Sequence, residues 1–428
     1  MPTPTTAAEA SARARLRRRL RAVTTDIRPL QASADYRRLW FGSTVSQLGQ
    51  QMTTVAVAIQ VYDLTGSSFA VGLVGLFSLV PLVVFGVYGG AIADAVDRRR
   101  LALAASTGLW LLSVALLVHA LLSLESVGVL YGIVALQGGC YAVNSPARSA
   151  IIPRLLPADL LPAANALSSA SFNLGFTVGP VVGAFLIAWQ GYAAAYAVDV
   201  VTFTAALYAL LRLPPVPPQG DVRRAGLASV REGLRFLRQA PNLRMSFVAD
   251  LCAMVFAQPR ALFPALAVLA FGSTGAVGLM QGAPAAGALL AFAVSGWISR
   301  VHRHGLAIVA AVVLYGAAVA AVGFAGALWV ALAFLALSGA ADMVSAAYRL
   351  TILQTAAPDA LRGRLQGVFI VVVAGGPRLG EFVLGSLASV VGERAALVTG
   401  GATCMVAVVA AGLLQRRFLR YDARDPEP

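Results

Sequence analysis

Apolar runs long enough to cross a bilayer recur along almost the whole chain, and no other feature narrows its fold as far. A spanning helix needs about 20 mostly apolar residues. Such runs occupy 39–62, 68–93, 101–121, 127–148, 164–188, 193–212, 244–270, 275–299, 305–324, 328–349, 365–390 and 395–414. Backbone polar groups in hydrocarbon must be satisfied within the segment, so helices are expected. The alternating pattern of a membrane barrel is absent. Composition agrees: 58% of residues are hydrophobic and 12% charged. A soluble domain carries about twice that charged share, and this chain would run short of polar surface in water. The expectation is an all-α membrane protein with twelve transmembrane helices.

Charge orients those helices. All 33 basic residues are arginine and the net charge is +14. A basic chain can signal nucleic-acid binding, but these arginines sit between apolar runs, so no nucleic-acid partner is expected. Nine precede or open the first run, three lie at 94–100, two at 148–163 and seven at 212–244. Alternating the loops places thirty on one side and Arg394 alone on the other, with Arg260 and Arg378 inside runs. The positive-inside rule then puts both termini in the cytoplasm of a bacterial inner membrane. The basic stretch SARARLRRRLR (11–21) lacks the apolar core and cleavage site of a signal peptide. It is expected to be a cytoplasmic tail touching anionic headgroups.

The runs divide six and six. A tail (1–37) precedes a six-helix bundle (38–212). A linker (213–243) opens with LPPVPP and carries the amphipathic segment ASVREGLRFLRQ (228–239), expected to lie on the membrane face. A second bundle (244–415) and a tail (416–428) follow. The halves echo each other. GGAIADAVDRRR (89–100) answers SGWISRVHRHG (295–305), and GFTVGPVVGA (175–184) answers GGPRLGEFVLGS (375–386). Duplicated halves are a common plan for transporters.

Several chemistries are excluded. Cys140, Cys252 and Cys404 stand alone in apolar runs, so neither a metal site nor a disulfide framework is expected. No phosphate-binding P-loop exists, which rules out ATP-driven transport by this chain alone. No catalytic constellation is present, so the chain is not expected to be an enzyme or to need a cofactor.

The stretch from Gly90 through Asp94 to Arg98, Arg99 and Arg100 resembles the loop between helices 2 and 3 of the major facilitator superfamily. Two positions depart from that pattern: Ala95 replaces a basic residue and Asp97 a glycine. The resemblance implies that Gly90 allows close helix approach and that Asp94 sits near the start of helix 3, where the helix dipole favours it. It also implies that Asp94, Arg98 and Arg99 latch the two halves together. Gly175, Gly179, Pro180 and Gly183 resemble the fifth-helix motif of facilitator antiporters. The spaced glycines allow close packing and the proline a bend. RALFPALA (260–267), GAPAAGALLAFAVSG (282–296), LQTAAPDALRGRLQGVF (353–369) and IIPRLLPADLLPAANAL (151–167) resemble the branch containing the enterobactin exporter and drug–proton antiporters.

That resemblance implies two six-helix bundles around a central cavity, working as a monomer by alternating access. It implies proton-driven export of a small molecule: a siderophore, an antibiotic or a drug. An importer or uniporter of a small solute, and a non-transporting sensor or scaffold, are the alternatives.

Charges within the runs mark candidate sites, because they are costly in lipid and face a cavity or a partner. Asp342, Arg378 and Glu381 are the candidates for proton coupling. Arg378 and Glu381 share a helix face, either as a structural ion pair or as a proton-responsive one. Arg260 matches an arginine of the exporter branch, so it is expected to contact substrate. Asp199 and Asp250 lie nearer helix ends, where capping or packing roles compete. The resemblance places helices 1, 4, 7 and 10 around the cavity. Gln47, Gln51, Gln137, Tyr141 and Gln281 are therefore candidate substrate contacts, with interhelical hydrogen bonding as the competing role.

Overall fold

The computed structural model describes residues 26–217, 235–356, 359–422 and 424, without the side chains at 87–95, 297, 299 and 359–371. The long helices are α1 (Ala34–Thr65), α2 (Ser68–Ala95), α3 (Arg98–Leu121), α4 (Val127–Leu155), α5 (Leu161–Gln190) and α6 (Tyr192–Leu211) in the first half. The second half holds α7, α8 (Ala276–Ala293), α9 (His304–Gly323), α10 (Leu328–Ala356), α11 (Asp359–Val391) and α12 (Glu393–Leu414). Helix α7 runs from Pro241 to Phe256, breaks, and resumes over Phe263–Leu269.

Ten helices among the described residues are long and apolar enough to cross a membrane. The glutamine-bearing α1 and α11, which carries Arg378 and Glu381, fall outside that set. Hydropathy on the described residues therefore supports ten crossings, against the twelve runs read from sequence.

Local chemistry sets the helix ends. Ser33 caps α1 by accepting from the Tyr36 amide at 3.2 Å, satisfying one of the orphan donors of a first turn. Four glycines adopt a left-handed conformation, and they come in matched pairs. Gly66 (φ 61°) and Gly272 (φ 63°) close the α1–α2 and α7–α8 turns; Gly191 (φ 78°) and Gly392 (φ 84°) close α5–α6 and α11–α12.

Packing repeats in the same way. In the first half α1 packs on α5 and α6, α4 on α2 and α3, and α3 on α6; in the second α7 packs on α11 and α12, α10 on α8 and α9, and α9 on α12. The two halves thus share one arrangement, shifted by six helices.

They meet along two seams, α2 against α11 and α5 against α8. Both are lined by glycine. A Cβ added at Gly72 would lie 2.7 Å from the Glu381 carbonyl, and one at Gly385 2.6 Å from that of Ser68. On the other seam, a Cβ at Gly278 would lie 2.5 Å from the Pro180 carbonyl, and one at Gly282 2.8 Å from that of Thr177. Lipid offers no hydrophobic drive between helices, so such close approach supplies the van der Waals contact that joins the halves.

Candidate functional site

The break in α7 follows from Pro259, which has no amide proton and cannot continue a helix. It frees carbonyls that lipid cannot satisfy. Tyr315 of α9 supplies one partner, its hydroxyl donating to the Ala257 carbonyl at 3.1 Å. A short 3-10 turn, Arg260–Leu262, bridges the gap and turns Arg260 toward the first half. Its guanidinium carbon lies 5.7 Å from the Phe176 ring centroid of α5, a cation–π distance. Arg260 is also within electrostatic reach of Asp342 and Glu381.

Phe176 packs on Phe172 at 4.4 Å between centroids. Phe172 in turn borders a cavity of about 240 Å³ in the first half, lined also by Ser43, Gln47, Tyr141, Asn144 and Arg148. The cavity lies toward the end of the bundle where α1 begins and α4 ends, since Tyr36, Leu39 and Ile152 also border it. Arg148 stands on α4 one turn beyond Asn144. It donates to Ser43 Oγ at 2.9 Å, Ser106 Oγ at 3.1 Å and Asn144 Oδ1 at 3.3 Å. Among the described residues no carboxylate lies within ion-pair distance of it.

Arg349 on α10 occupies the matching place in the second half. Its side chain is 5% exposed and pairs with the buried Asp250 of α7. A second contact, at 3.4 Å, reaches Asp342, two turns earlier on the same face of α10. Asp342 sits mid-helix, and its side chain is 39% exposed. The arginine distribution in the sequence places both Arg148 and Arg349 among the cytoplasmic loop charges. Both lie inside helices, because α4 and α10 extend beyond the apolar runs that announced them. The signal that marks them is the matched separation: Gly138 and Gly339 stand ten residues before Arg148 and Arg349. Each of these glycines packs on a backbone of the facing helix, Ser78 of α2 or Pro284 of α8.

The remaining candidates are distributed unevenly. Gln47 and Tyr141 border the cavity; Gln51, Gln137, Arg260 and Gln281 do not. Arg378 and Glu381 share a face but form no ion pair. Arg378 instead donates across the seam to Ser78 Oγ at 2.7 Å and back to the Ala374 carbonyl at 2.6 Å. The Glu381 carboxylate lies against Gly75, where a Cβ would come within 2.8 Å of Oε2. Asp250 is a buried ion-pair partner rather than a cap, and Asp199 is buried as well, accepting from Ser113 at 2.7 Å.

The loop between α2 and α3 differs from its expected role. The Asp94 side chain lies outside what is described, but the backbone of Gly90 and Asp94 belongs to α2, which ends at Ala95. The cap of α3 is Asp97, accepting from the Arg100 amide at 2.9 Å and from the Val216 amide at 3.0 Å. A carboxylate there neutralises the positive end of the helix, which explains why Asp stands where the family pattern has Gly. Arg99 donates to the Leu210 carbonyl at 3.1 Å and the Leu211 carbonyl at 2.6 Å, while Arg98 reaches the Ala150 carbonyl at 3.4 Å. Among the described residues, the hydrogen bonds of both go to helix ends in their own half. Gly179 and Gly183 likewise pack on Gln51 and Met52 of α1. Only the Pro180 face of α5 reaches the second half. No cluster of metal-ligating side chains occurs among the described residues.

A family model described as "Transmembrane secretion effector" matches residues 24–428. The chain is 26% identical over 400 residues to the enterobactin exporter EntS of Citrobacter koseri, covering 93% of this chain and 96% of that one. It is 27% identical over 402 residues to EntS of Escherichia coli O127:H6, with the same coverage. Among solved structures it is similar to the POT family transporter PepTSo, with a TM-score of 0.72 at 13% identity, covering 91% of this chain and 99% of that one. The nucleoside transporter NupG gives 0.69 at 13% identity, covering 89% and 99%.

Proposed function

Because the chain belongs to the transmembrane secretion effector family of major facilitators, we propose that it exports an organic small molecule in exchange for protons. It is a multi-pass membrane transporter and not an enzyme. One observation supports loading from the cytoplasmic side. The polar cavity lies at the end of the bundle where α1 begins, while the seams at the opposite end are packed, and Ser68 donates to Glu393 there at 3.0 Å. With both termini in the cytoplasm of a bacterial inner membrane, as the arginine distribution supports, the cavity opens where an exporter loads. The chain is read as a monomer, its arginines touching anionic headgroups.

Asp342 is the leading site for proton coupling. It faces the interior between Arg349, at 3.4 Å, and Arg260. A proton arriving from outside neutralises the carboxylate and loosens its hold on both arginines, which biases the rocking of the halves. Glu381 and Arg378, at the α2–α11 seam, are the second site. The relatives named enterobactin exporters make siderophores the first cargo to try, with antibiotics and drug-like molecules next.

The test uses the full-length protein in liposomes under an imposed pH gradient, loaded with a catechol siderophore. Export is expected to follow the gradient. Asp342→Asn should abolish gradient-driven export while leaving gradient-free counterflow intact. Glu381→Gln should weaken the driven mode only. Driven export that survives both substitutions would remove these carboxylates from the coupling step. Accumulation in the opposite direction would make the protein an importer.

A further inference from the structure

We infer that the cavity beside Arg148 is an anion site, which takes a carboxylate or similar oxyanion carried on an apolar or aromatic body. This rests on the export reading and adds the charge of the cargo to it.

The two halves provide an internal control. Arg148 and Arg349 stand at matched positions of α4 and α10, each reaching the first helix of its own half. In the second half that helix offers Asp250, and the pair is sealed from solvent. In the first half it offers Ser43, a hydroxyl. Three neutral oxygens satisfy three of the five guanidinium donors of Arg148 but leave its charge intact. Among the described residues Arg148 has no counter-charge, and an unpaired cation on a spanning helix is expensive and marks a ligand pathway. Here open space lies directly beside it, bordered by Tyr141 and Gln47 as further polar groups. Phe172, 48% exposed, supplies a flat apolar wall. A few convergent polar groups against an aromatic wall are what a small-molecule site needs. Planar carboxylate also suits the guanidinium fork. Arg260, beyond Phe176, extends the positive side of the path toward the second half.

The experiment titrates the purified full-length protein with naphthoate and with naphthamide, its uncharged counterpart, by calorimetry. Wild type should bind naphthoate the more tightly. Ser43→Asp gives Arg148 the partner that Arg349 already has, so this variant should fold and melt like wild type. It should lose about tenfold of the preference for the anion, the scale of one charge-assisted contact. Arg148→Gln should do the same. Equal binding of both compounds to wild type would overturn the site, as would a preference that persists in Ser43→Asp. Counterflow with the same two compounds separates the readings. Uptake of both without regard to charge refutes the anion site and spares transport. Charge-selective binding with no counterflow of either compound supports the anion site and refutes transport.

Discussion

Arg148 and Arg349 occupy the same place in the two halves and have different fates. Arg349 is paired with Asp250 and closed off. Arg148 is held by hydroxyls and an amide beside a cavity. A duplicated scaffold fixes where a side chain stands, and its partner decides what it does. In the second half the charge holds α7 to α10. In the first half it remains available to a ligand. The seams differ in the same way. The α5–α8 seam is glycine against backbone, whereas the α2–α11 seam adds the Arg378–Ser78 hydrogen bond and the Glu381 carboxylate.

Substitutions can break this comparison at graded strength. Asp250→Asn leaves the buried Arg349 with only its longer contact to Asp342 and should cost about 3 kcal/mol, the lower end of the effect of removing one member of a buried pair. It should appear as a large drop in the melting temperature of the detergent-solubilised protein. If Asp250→Asn melts like wild type, Arg349 does not depend on its partner and the contrast with Arg148 is lost. Gly278→Val drives two methyl groups toward the Pro180 carbonyl. It should cost about 1–3 kcal/mol by overpacking and slow counterflow by prying the seam. Unchanged counterflow rates would show that this seam does not move in the cycle. Ser78→Ala removes one hydrogen bond from Arg378, a loss of about 1 kcal/mol. Its effect should be additive with Gly278→Val, since the two residues lie in different seams; strong coupling in a double-mutant cycle would contradict that. Smallest is Ser43→Ala, where Arg148 retains two of its three bonds. A loss of about 0.6 kcal/mol, the average for interhelical hydrogen bonds in membranes, is expected in chemical denaturation.

The limits of sequence reading follow from particular residues. Paired motifs point to duplicated halves, and the four left-handed glycines fall in pairs at matching places. Buried charges at Asp342, Arg378 and Glu381 were found because they interrupt apolar runs. Arg148 and Arg349 escaped because each is the last residue of its apolar run, where hydropathy cannot distinguish a loop charge from a helical one. The role of Asp97 escaped for a similar reason. A cap depends on where the helix begins, and two residues separate Ala95, which ends α2, from Arg98, which begins α3.

Apolar length and arginine distribution, both properties of the chain, determined the membrane, the helices and the division into halves, because lipid imposes those demands on each segment separately. The partners of the interior charges were decided only in the tertiary structure. Whether an arginine meets Asp250 or Ser43 depends on which neighbouring helix presents its face there, and no single helix carries that information. That choice separates a sealed ion pair from a cation beside an open cavity.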